Sequence, residues 1–300
     1  MKKVYVTGAG GMLGRALVPV FSRSYEVMGT DLPSVDVTDF DAVRRDIAGF
    51  SPDVVIHLAS MTDVDRCETD PGMARKVNAA GTENVAVACR ECGSTMIYIS
   101  TGMIYNGRKR GPYIEYDAPD PVNSYGRTKY EGELLMRKQL ENCYIFNTCW
   151  IFGGGPQDKK FVARMIELAR ERDRLEVVDD TFGSPTYTVD LSEAIYRFLQ
   201  SGGFESNFGR YHCAGRGCVN RLELAREIFS IAGIKDCELV PVSSDRFDLP
   251  APRPRMEALG NYALDLMGLH LMRDWRVALR DYITTTFAVS YTHLRAHETV

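Results

Sequence analysis

The residues Val4-Tyr5-Val6-Thr7-Gly8-Ala9-Gly10-Gly11-Met12-Leu13-Gly14 join an apolar, strand-forming run to a helical pattern through regularly spaced glycines. Gly8 permits a sharp turn, Gly11 lets the backbone approach a pyrophosphate, and Gly14 lets the helix pack close to the sheet. The start of the helix offers free N–H groups and the positive end of its dipole to phosphates. We therefore expect a dinucleotide to lie against Gly8, Gly11, Met12, Leu13 and Gly14.

Apolar runs alternate with helical patterns through the first two thirds of the chain. Period and composition predict strands at residues 4–7, 26–30, 54–59, 96–100, 144–148 and 175–178, and helices at 12–21, 39–48, 73–92, 124–140 and 160–172. Val54-Val55-Ile56 is apolar throughout, as expected for a strand that helices cover on both faces. The alternation predicts an α/β fold with a doubly wound parallel sheet of the Rossmann type.

The regular alternation of strand and helix patterns ends after about residue 150. Gly153-Gly154-Gly155-Pro156 breaks the pattern, and the three prolines within 248–255 exclude a regular element there. We expect a dinucleotide-binding domain at 1–151, to which 175–200 returns, and a smaller, interleaved C-terminal substrate-binding subdomain at 152–287. After a final helix at 275–282, residues 288–300, with His293 and His297 four apart, are interpreted as a disordered or non-native tail.

Composition and charge exclude several classes of partner. Apolar residues make up 45% and charged residues 25% of the 300, an ordinary globular mixture. The net charge of -4 provides no basic face for nucleic acid or for an anionic membrane. No run approaches the roughly 20 apolar residues of a membrane span. Met1-Lys2-Lys3 leads into a strand without an apolar signal core, so a cytoplasmic location is expected.

Eight cysteines raise the question of a metal site. Cys89 and Cys92 have the spacing of a zinc half-site, but they fall at the end of a helical run, where cysteine serves as a small apolar residue. Cys213 and Cys218 are too loosely spaced for a matching half-site. We therefore predict reduced thiols and no metal.

Polar residues after the second and third strands point to the rest of the cofactor. Asp31 follows the glycines by about 20 residues, where a carboxylate binds the adenosine ribose and repels a 2′-phosphate. NAD(H) is therefore favoured over NADP(H), which stays possible. Asp36 and Val37 suit the adenine amino group. The small end of the third strand, Leu58-Ala59-Ser60, leaves room for the middle of the cofactor.

Tyr125 and Lys129 lie four apart in a predicted helix and so share one face. A cationic Lys129 is expected to lower the pKa of Tyr125, which then donates a proton to a carbonyl oxygen as hydride reaches its carbon. Lys129 also suits the nicotinamide ribose. Thr101 ends the fourth strand at the cofactor edge, where its hydroxyl suits the same carbonyl. We predict Thr101, Tyr125 and Lys129 as the catalytic set.

With these residues in place, the chain resembles the extended short-chain dehydrogenases, and most closely the dTDP-4-dehydrorhamnose reductases. The resemblance extends to about residue 282 and is carried by residues 8–17, 53–59, 64–71, 99–107, 111–133, 148–150, 177–186, 252–254 and 274–275. It implies reduction of the C4 ketone of a dTDP-linked 6-deoxy sugar to dTDP-L-rhamnose, with Trp150 against the sugar and Arg253 against the nucleotide diphosphate.

The chain departs from the family pattern at three places. Gly102 and Met103 stand where an acid and an aromatic residue are usual, Asn147 replaces an arginine, and Arg255-Met256 replaces an asparagine-containing pair. These differences bear on the identity of the sugar nucleotide more than on the chemistry.

Two other functions use the same residues. A nucleotide-sugar 4-epimerase or dehydratase would retain its NAD, although a dehydratase also needs a carboxylate pair beside Thr101, which Gly102-Met103 does not supply. A non-catalytic dinucleotide-binding subunit, like the regulatory subunit of methionine adenosyltransferase, would not need the intact Tyr125 and Lys129 pair. A homodimer is possible by the same resemblance.

Overall fold

A computed structural model describes residues 1–156, 158–203 and 206–287 of the chain. Its strands are β1 (Lys3–Thr7), β2 (Glu26–Thr30), β3 (Val54–His57), β4 (Thr95–Thr101), β5 (Cys143–Thr148), β6 (Ile151–Phe152), β7 (Arg174–Val178), β8 (Phe182–Gly183), β9 (Thr186–Tyr187), β10 (Gly209–His212), β11 (Val219–Asn220) and β12 (Glu238–Val242). Its helices are α1 (Met12–Phe21), α2 (Phe40–Phe50), α3 (Val64–Thr69), α4 (Pro71–Arg75), α5 (Gly81–Cys92), α6 (Ser124–Gln139), α7 (Phe161–Glu171), α8 (Thr188–Phe198), α9 (Arg221–Ala232), α10 (Tyr262–Leu266) and α11 (Trp275–Thr286).

The central sheet has six parallel strands in the order β10-β5-β4-β3-β1-β2. Helices α1 and α8 pack on one face, where Leu17 and Ile195 are fully buried. Helices α2 and α5 pack on the other face, where Ile47 and Val85 are fully buried. Since both faces are covered, strand β3 is buried throughout. The predicted Rossmann-type α/β fold is confirmed.

The sixth strand of the sheet is not the predicted one. Residues 175–178 do form a strand, but β7 pairs with β12 in a separate two-stranded sheet. In β7, exposed Arg174 and Glu176 alternate with buried Leu175 and Val177, a pattern that fits a sheet covered on one face only. The central sheet ends instead with β10, whose polar residues gave no strand signal.

The single helix predicted over residues 73–92 is interrupted. Helix α4 ends at Arg75, a π-helical turn spans Lys76–Ala80, and α5 begins at Gly81. Asn78, inside the wide turn, is fully buried, and its side chain accepts hydrogen bonds from Ser60 Oγ and Met61 N, both at 2.8 Å. The turn therefore ties this helix to the end of β3, at the edge where the cofactor was predicted.

A second core lies in the C-terminal part of the chain. Helices α7, α9 and α11 enclose it, and Trp275, Leu279 and Ile228 are buried at its centre. The helix predicted at 275–282 forms and continues to Thr286. The predicted tail 288–300, with His293 and His297, lies outside the described residues. Among the residues that are described, no helix has the length and apolar character needed to cross a membrane.

Candidate active site

The glycine-rich turn joins β1 to α1 with the geometry that a phosphate cradle requires. Gly8 has φ +67°, and a Cβ there would lie 2.7 Å from the backbone nitrogen of Ala59. A Cβ on Gly14 would lie 2.5 Å from the carbonyl oxygen of Ala9, so the helix packs against the loop only with glycine at that position. Gly11 caps α1 without a side-chain hydrogen bond. The N–H groups of the first turn are therefore available to a phosphate, which suits a dinucleotide.

A cavity of about 780 Å³ runs along the carboxyl ends of the sheet strands. It is lined by all but one of the predicted site residues, namely Gly8, Gly11, Met12, Leu13, Gly14, Asp31, Asp36, Val37, Leu58, Ala59, Ser60, Thr101, Tyr125, Lys129 and Trp150. The structure thus joins the predicted cofactor and catalytic residues into one continuous surface.

The predicted adenosine end of the cavity is held to the glycine loop by Asp31. One carboxylate oxygen of Asp31 accepts a hydrogen bond from Gly10 N at 3.0 Å, and the other accepts one from Leu32 N at 2.8 Å. Asp36 is exposed, whereas Val37 is buried and its carbonyl accepts a hydrogen bond from Asn84 Nδ2 at 2.9 Å. These contacts fix the rim of the cavity around Asp31.

Helix α6 presents Tyr125 and Lys129 to the cavity from its first turns. Asn123 caps the helix, since its side chain accepts a hydrogen bond from Gly126 N at 2.8 Å and donates one to the carbonyl of Pro252 at 2.9 Å. Lys129 is 3% exposed, and its Nζ lies 4.1 Å from the centroid of the Tyr98 ring, a cation–π contact. The cap therefore sets the position of both side chains against the end of β4.

Burial dominates the protonation of both groups. It raises the pKa of Tyr125, which the nearby Cys67 and Glu257 raise further, while a hydrogen bond from Thr101 to the phenolate form acts in the opposite direction. Burial lowers the pKa of Lys129 to about 7, against the attraction of Glu133. The expected lowering of the Tyr125 pKa is not found at this site, because desolvation by burial outweighs the one contribution that lowers it.

Beneath the cavity, a buried hydrogen-bond chain fixes the tautomer of His57. Thr82 Oγ1 donates its proton to Asn78 O at 2.7 Å, so it accepts from His57 Nε2 at 3.1 Å. His57 Nδ1 then accepts from Thr7 Oγ1 at 2.7 Å. Burial lowers the pKa of His57 to about 3, with Lys129 contributing in the same direction. The imidazole is neutral and adds no charge beside Lys129.

Asn147, which stands where the resembled family has arginine, supports the end of β4. Its amide donates to Thr101 O at 3.2 Å and to Glu133 Oε1 at 3.1 Å. The cation beside Glu133 comes instead from Arg210 on β10, which forms an ion pair with that carboxylate. A positive charge is thus kept near Glu133 by a residue from a different strand.

Arg253 does not line the cavity. Its guanidinium forms an ion pair with Asp65 at 2.8 Å and donates to the carbonyl of Ala251 at 2.8 Å. Arg253 is nevertheless close enough to the cavity-wall residues Arg221 and Glu257 to act on the pKa of each. Its contact with a nucleotide diphosphate stays a prediction.

Sequence reasoning missed four charged residues of the cavity wall, Arg66, Lys160, Arg221 and Glu257, of which the last two act on Trp150. Trp150 lies between β5 and β6 in a left-handed conformation, φ +42°, and the Arg221 guanidinium stacks 3.4 Å from its ring centroid. Arg221 begins α9 directly after the capping residue Asn220, and Glu257 lies in the segment after the proline-rich stretch. Neither position carries a motif, so nothing in the local sequence marked them.

The described part of the chain holds no group of three or more His, Cys, Asp or Glu side chains arranged for a metal ion. Cys89 and Cys92, the half-site considered above, are free thiols in α5, and burial raises the pKa of both.

A glycine cradle at the N-terminus of α1, with a threonine, a tyrosine and a lysine on the same cavity, defines a nicotinamide-dinucleotide-dependent oxidoreductase of the extended short-chain dehydrogenase type. The chain belongs to the family described as "RmlD substrate binding domain", which matches residues 1–287.

Individual relatives agree over almost the whole chain. The dTDP-4-dehydrorhamnose reductase of Mycolicibacterium smegmatis is 39% identical over 94% of this chain and 85% of its own length. The structure of the enzyme of that name from Clostridium acetobutylicum superposes with a TM-score of 0.89 at 35% identity, over 94% of this chain and 99% of its own. The structure of the Bacillus anthracis enzyme in complex with NADP also has a TM-score of 0.89, at 33% identity, over 95% and 100%.

Proposed function

We propose that this protein reduces the C4 ketone of dTDP-4-dehydrorhamnose to give dTDP-L-rhamnose, using a reduced nicotinamide dinucleotide. The observation that carries the proposal is the common cavity of the glycine loop, the Thr101, Tyr125 and Lys129 side chains, and Trp150. The named relatives, at 33–39% identity over most of the chain, support the substrate class.

Each residue of the proposed catalytic set has a separate role in the reduction. A bound dinucleotide supplies the hydride to the carbonyl carbon. Tyr125, whose pKa burial raises, holds its proton at neutral pH and donates it to the carbonyl oxygen. Thr101 donates a hydrogen bond to the same oxygen, and cationic Lys129 stabilises the phenolate that Tyr125 leaves behind. Trp150 forms the wall for the sugar.

Asp31 supports a preference for NADH over NADPH. Its carboxylate lies beside the glycine loop, where it suits a ribose hydroxyl and repels a 2′-phosphate. NADP(H) stays possible, since a relative binds NADP. We expect a higher kcat/KM with NADH, and a shift towards NADPH in Asp31→Ser. A wild-type preference for NADPH would contradict this role of Asp31.

The function is tested by following oxidation of NADH and NADPH with dTDP-4-dehydrorhamnose and, in parallel, with UDP- and GDP-linked 4-keto sugars. Turnover of the dTDP substrate is expected. Turnover of another nucleotide sugar alone would keep the chemistry and reject the substrate. Cofactor binding without turnover would favour the non-catalytic subunit, and tightly retained NAD would favour an epimerase.

Tyr125→Phe tests the proton donor. Because the phenol oxygen supplies the proton, kcat is expected to fall by about 10²- to 10⁴-fold. Tyr116→Phe is the matched control, since Tyr116 is 78% exposed and lies outside the cavity wall. Near-wild-type turnover by Tyr125→Phe at saturating cofactor would reject the mechanism.

The remaining predictions belong to the same proposal. Residues 1–151 would bind the dinucleotide and residues 152–287 mainly the substrate, although β10 from the second segment completes the first sheet. A cytoplasmic enzyme that forms a homodimer is consistent with this function.

A further inference from the structure

Glu257 is a buried carboxylate on the wall of the active-site cavity. Glu257 is 5% exposed, and hydrogen bonds fix the backbone at Glu257 and at the residue that follows it. Glu257 N donates to Phe182 O at 2.8 Å, and Tyr113 N donates to the carbonyl of the next residue, Ala258, at 2.8 Å. The carboxylate is therefore placed rigidly, although among the described residues no well-aligned hydrogen bond within the protein reaches it.

Arg221 faces the same part of the cavity. Its guanidinium stacks on Trp150 at 3.4 Å and on Phe161 at 4.8 Å, measured to the ring centroids. Burial lowers the pKa of Arg221 to about 10, and the Glu257 carboxylate opposes this shift. The two charges attract each other, yet no ion pair joins them. Glu257 is buried and forms no ion pair with any described residue, and Arg253 and Trp150 act on its pKa only in addition to Arg221. A polar ligand group that accepts from Arg221 and donates to Glu257 would therefore stabilise the carboxylate.

The ligand group must lie near the reacting carbonyl. The backbone carbonyl of Glu257 lies against Gly102, which follows Thr101, and its carboxylate contributes to the raised pKa of Tyr125. The carboxylate is also close to Trp150, whose buried indole N–H lacks a well-aligned partner in the described part of the chain and helps to hold down the pKa of Glu257, which burial raises. A carboxylate repels a diphosphate, whereas a hydroxyl both donates and accepts. The ligand that fits these neighbours is therefore a sugar hydroxyl.

Gly102 explains why this carboxylate comes from residue 257. A Cβ on Gly102 would lie 2.7 Å from the backbone carbonyl oxygen of Glu257. The backbone around Glu257 thus occupies the space that a side chain after Thr101 would need. An acid cannot enter the site from position 102 in this packing, and one enters from the opposite segment instead.

We propose that Glu257 and Arg221 together bind a hydroxyl of the substrate sugar next to the carbonyl that is reduced, and so set the sugar against Tyr125. This assignment rests on the proposed function for the identity of the sugar. Glu257 is then a substrate-binding residue that accepts a hydrogen bond from the sugar hydroxyl. Arg221, stacked on Trp150, donates a hydrogen bond to the same hydroxyl.

The experiment compares the binding of dTDP-L-rhamnose and of dTDP by calorimetry to wild type, Glu257→Gln and a control, Glu115→Gln. Glu115 is also a carboxyl whose pKa burial raises, but it lies outside the cavity wall. Glu257→Gln is expected to weaken the binding of dTDP-L-rhamnose by about 10- to 100-fold, as for loss of a charged hydrogen bond. It is expected to change dTDP binding by less than about twofold.

Kinetics provide a second readout. With the keto sugar, Glu257→Gln is expected to lower kcat/KM for the sugar while the KM for the nicotinamide cofactor is unchanged. Equal weakening of dTDP and dTDP-L-rhamnose, or weakening of neither, would overturn the inference. If Glu257→Gln lowers the thermal midpoint, Glu257→Asp keeps the charge and must still weaken dTDP-L-rhamnose selectively.

The outcome is separable from that of the proposed function. Wild-type turnover of dTDP-4-dehydrorhamnose tests the function and involves no variant. The selective loss of dTDP-L-rhamnose binding tests Glu257 and requires no turnover. Wild type that binds dTDP-L-rhamnose no more tightly than dTDP would overturn the role of Glu257, even if the enzyme were active.

Discussion

Tyr125 and Lys129 respond to the same buried environment in ways that suit reduction. Burial raises the pKa of the phenol, so Tyr125 keeps the proton that it donates in the proposed mechanism. Burial lowers the pKa of the Lys129 amine to about 7, so the cation is present below neutral pH and is lost above it. The basic limb of activity should therefore come from Lys129 rather than from Tyr125.

The dependence of kcat/KM on pH tests this assignment. The pH dependence of kcat/KM reports the pKa values of groups in the free enzyme. The ratio is therefore expected to fall above about pH 7, by up to about tenfold per pH unit. Lys129→Arg, which stays cationic, should be slower but should lose this limb. A wild-type profile that is flat to about pH 9 would contradict the assignment.

Gly102 is a second residue whose role follows from its neighbours. The Cβ of Gly102→Ala would collide with the Glu257 carbonyl, 2.7 Å away. We expect a loss of about 1–3 kcal/mol in the free energy of unfolding, as for other overpacked sites. Gly49→Ala is the control, since Gly49 lies in α2 with nothing near its Cβ position, and should stabilise by about 0.5–1 kcal/mol. Urea denaturation of both variants measures the difference, and a neutral Gly102→Ala would mean that the 257 segment moves freely.

At the scale of elements, Glu133 ties the catalytic helix to the central sheet. It lies on α6, is fully buried, and accepts hydrogen bonds from Ser100 on β4 and from Asn147 on β5. Its second oxygen forms the ion pair with Arg210 on β10. Three neighbouring strands thus hold the helix that carries Tyr125 and Lys129.

Removing Arg210 should therefore be far more damaging than removing an exposed arginine. Arg210→Met leaves the Glu133 carboxylate buried without its cation, so a loss of about 3–5 kcal/mol is expected in the free energy of unfolding. Arg23→Met breaks an exposed pair with Glu193 and should cost less than about 1 kcal/mol. Denaturant unfolding tests the contrast, which similar losses in the two variants would refute. Glu133→Gln combined with Arg210→Met should recover part of the loss.

At the scale of the whole molecule, two neutral histidines link stability to pH. Burial lowers the pKa of His57 and of His212 to about 3. His212 Nδ1 faces the carbonyls of Tyr113 and Gly260 and donates to them, while Nε2 accepts from Tyr105 OH at 2.8 Å. His212 thus joins β10 of the central sheet to the segment that follows Glu257.

These histidines should destabilise the fold in mild acid. Their unfolded pKa is 6.5, so between about pH 6.5 and 3 the unfolded chain binds more protons than the folded protein, and stability falls as the pH falls. Urea unfolding at about pH 7, 5.5 and 4.5 measures how the free energy of unfolding changes with pH. In His212→Asn this slope should fall by the amount that corresponds to the uptake of about one proton on unfolding. The raised pKa of Glu257 acts in the opposite direction, so the difference between wild type and variant is the measure. An unchanged slope in His212→Asn would rule out its contribution.

Much of the candidate site was predictable because its residues depend on spacing within single elements. The three glycines belong to one turn, Tyr125 and Lys129 share one helix face, and the ends of parallel strands meet at one edge. For the same reason the alternation of strands and helices predicted the Rossmann-type class. Such patterns are local, and the geometry of a helix or strand converts them directly into position.

The sequence by itself therefore determined the glycine turn, the placement of Tyr125 and Lys129 on one helix face, and the class of fold. Only the tertiary structure decided that β10 rather than β7 completes the sheet, that Arg253 forms an ion pair with Asp65, and that Arg221 and Glu257 line the cavity near Trp150. It also decided the direction of the Tyr125 pKa. These outcomes depend on contacts between distant segments and on burial, which are set by the packing of the whole chain rather than by the spacing of residues along it.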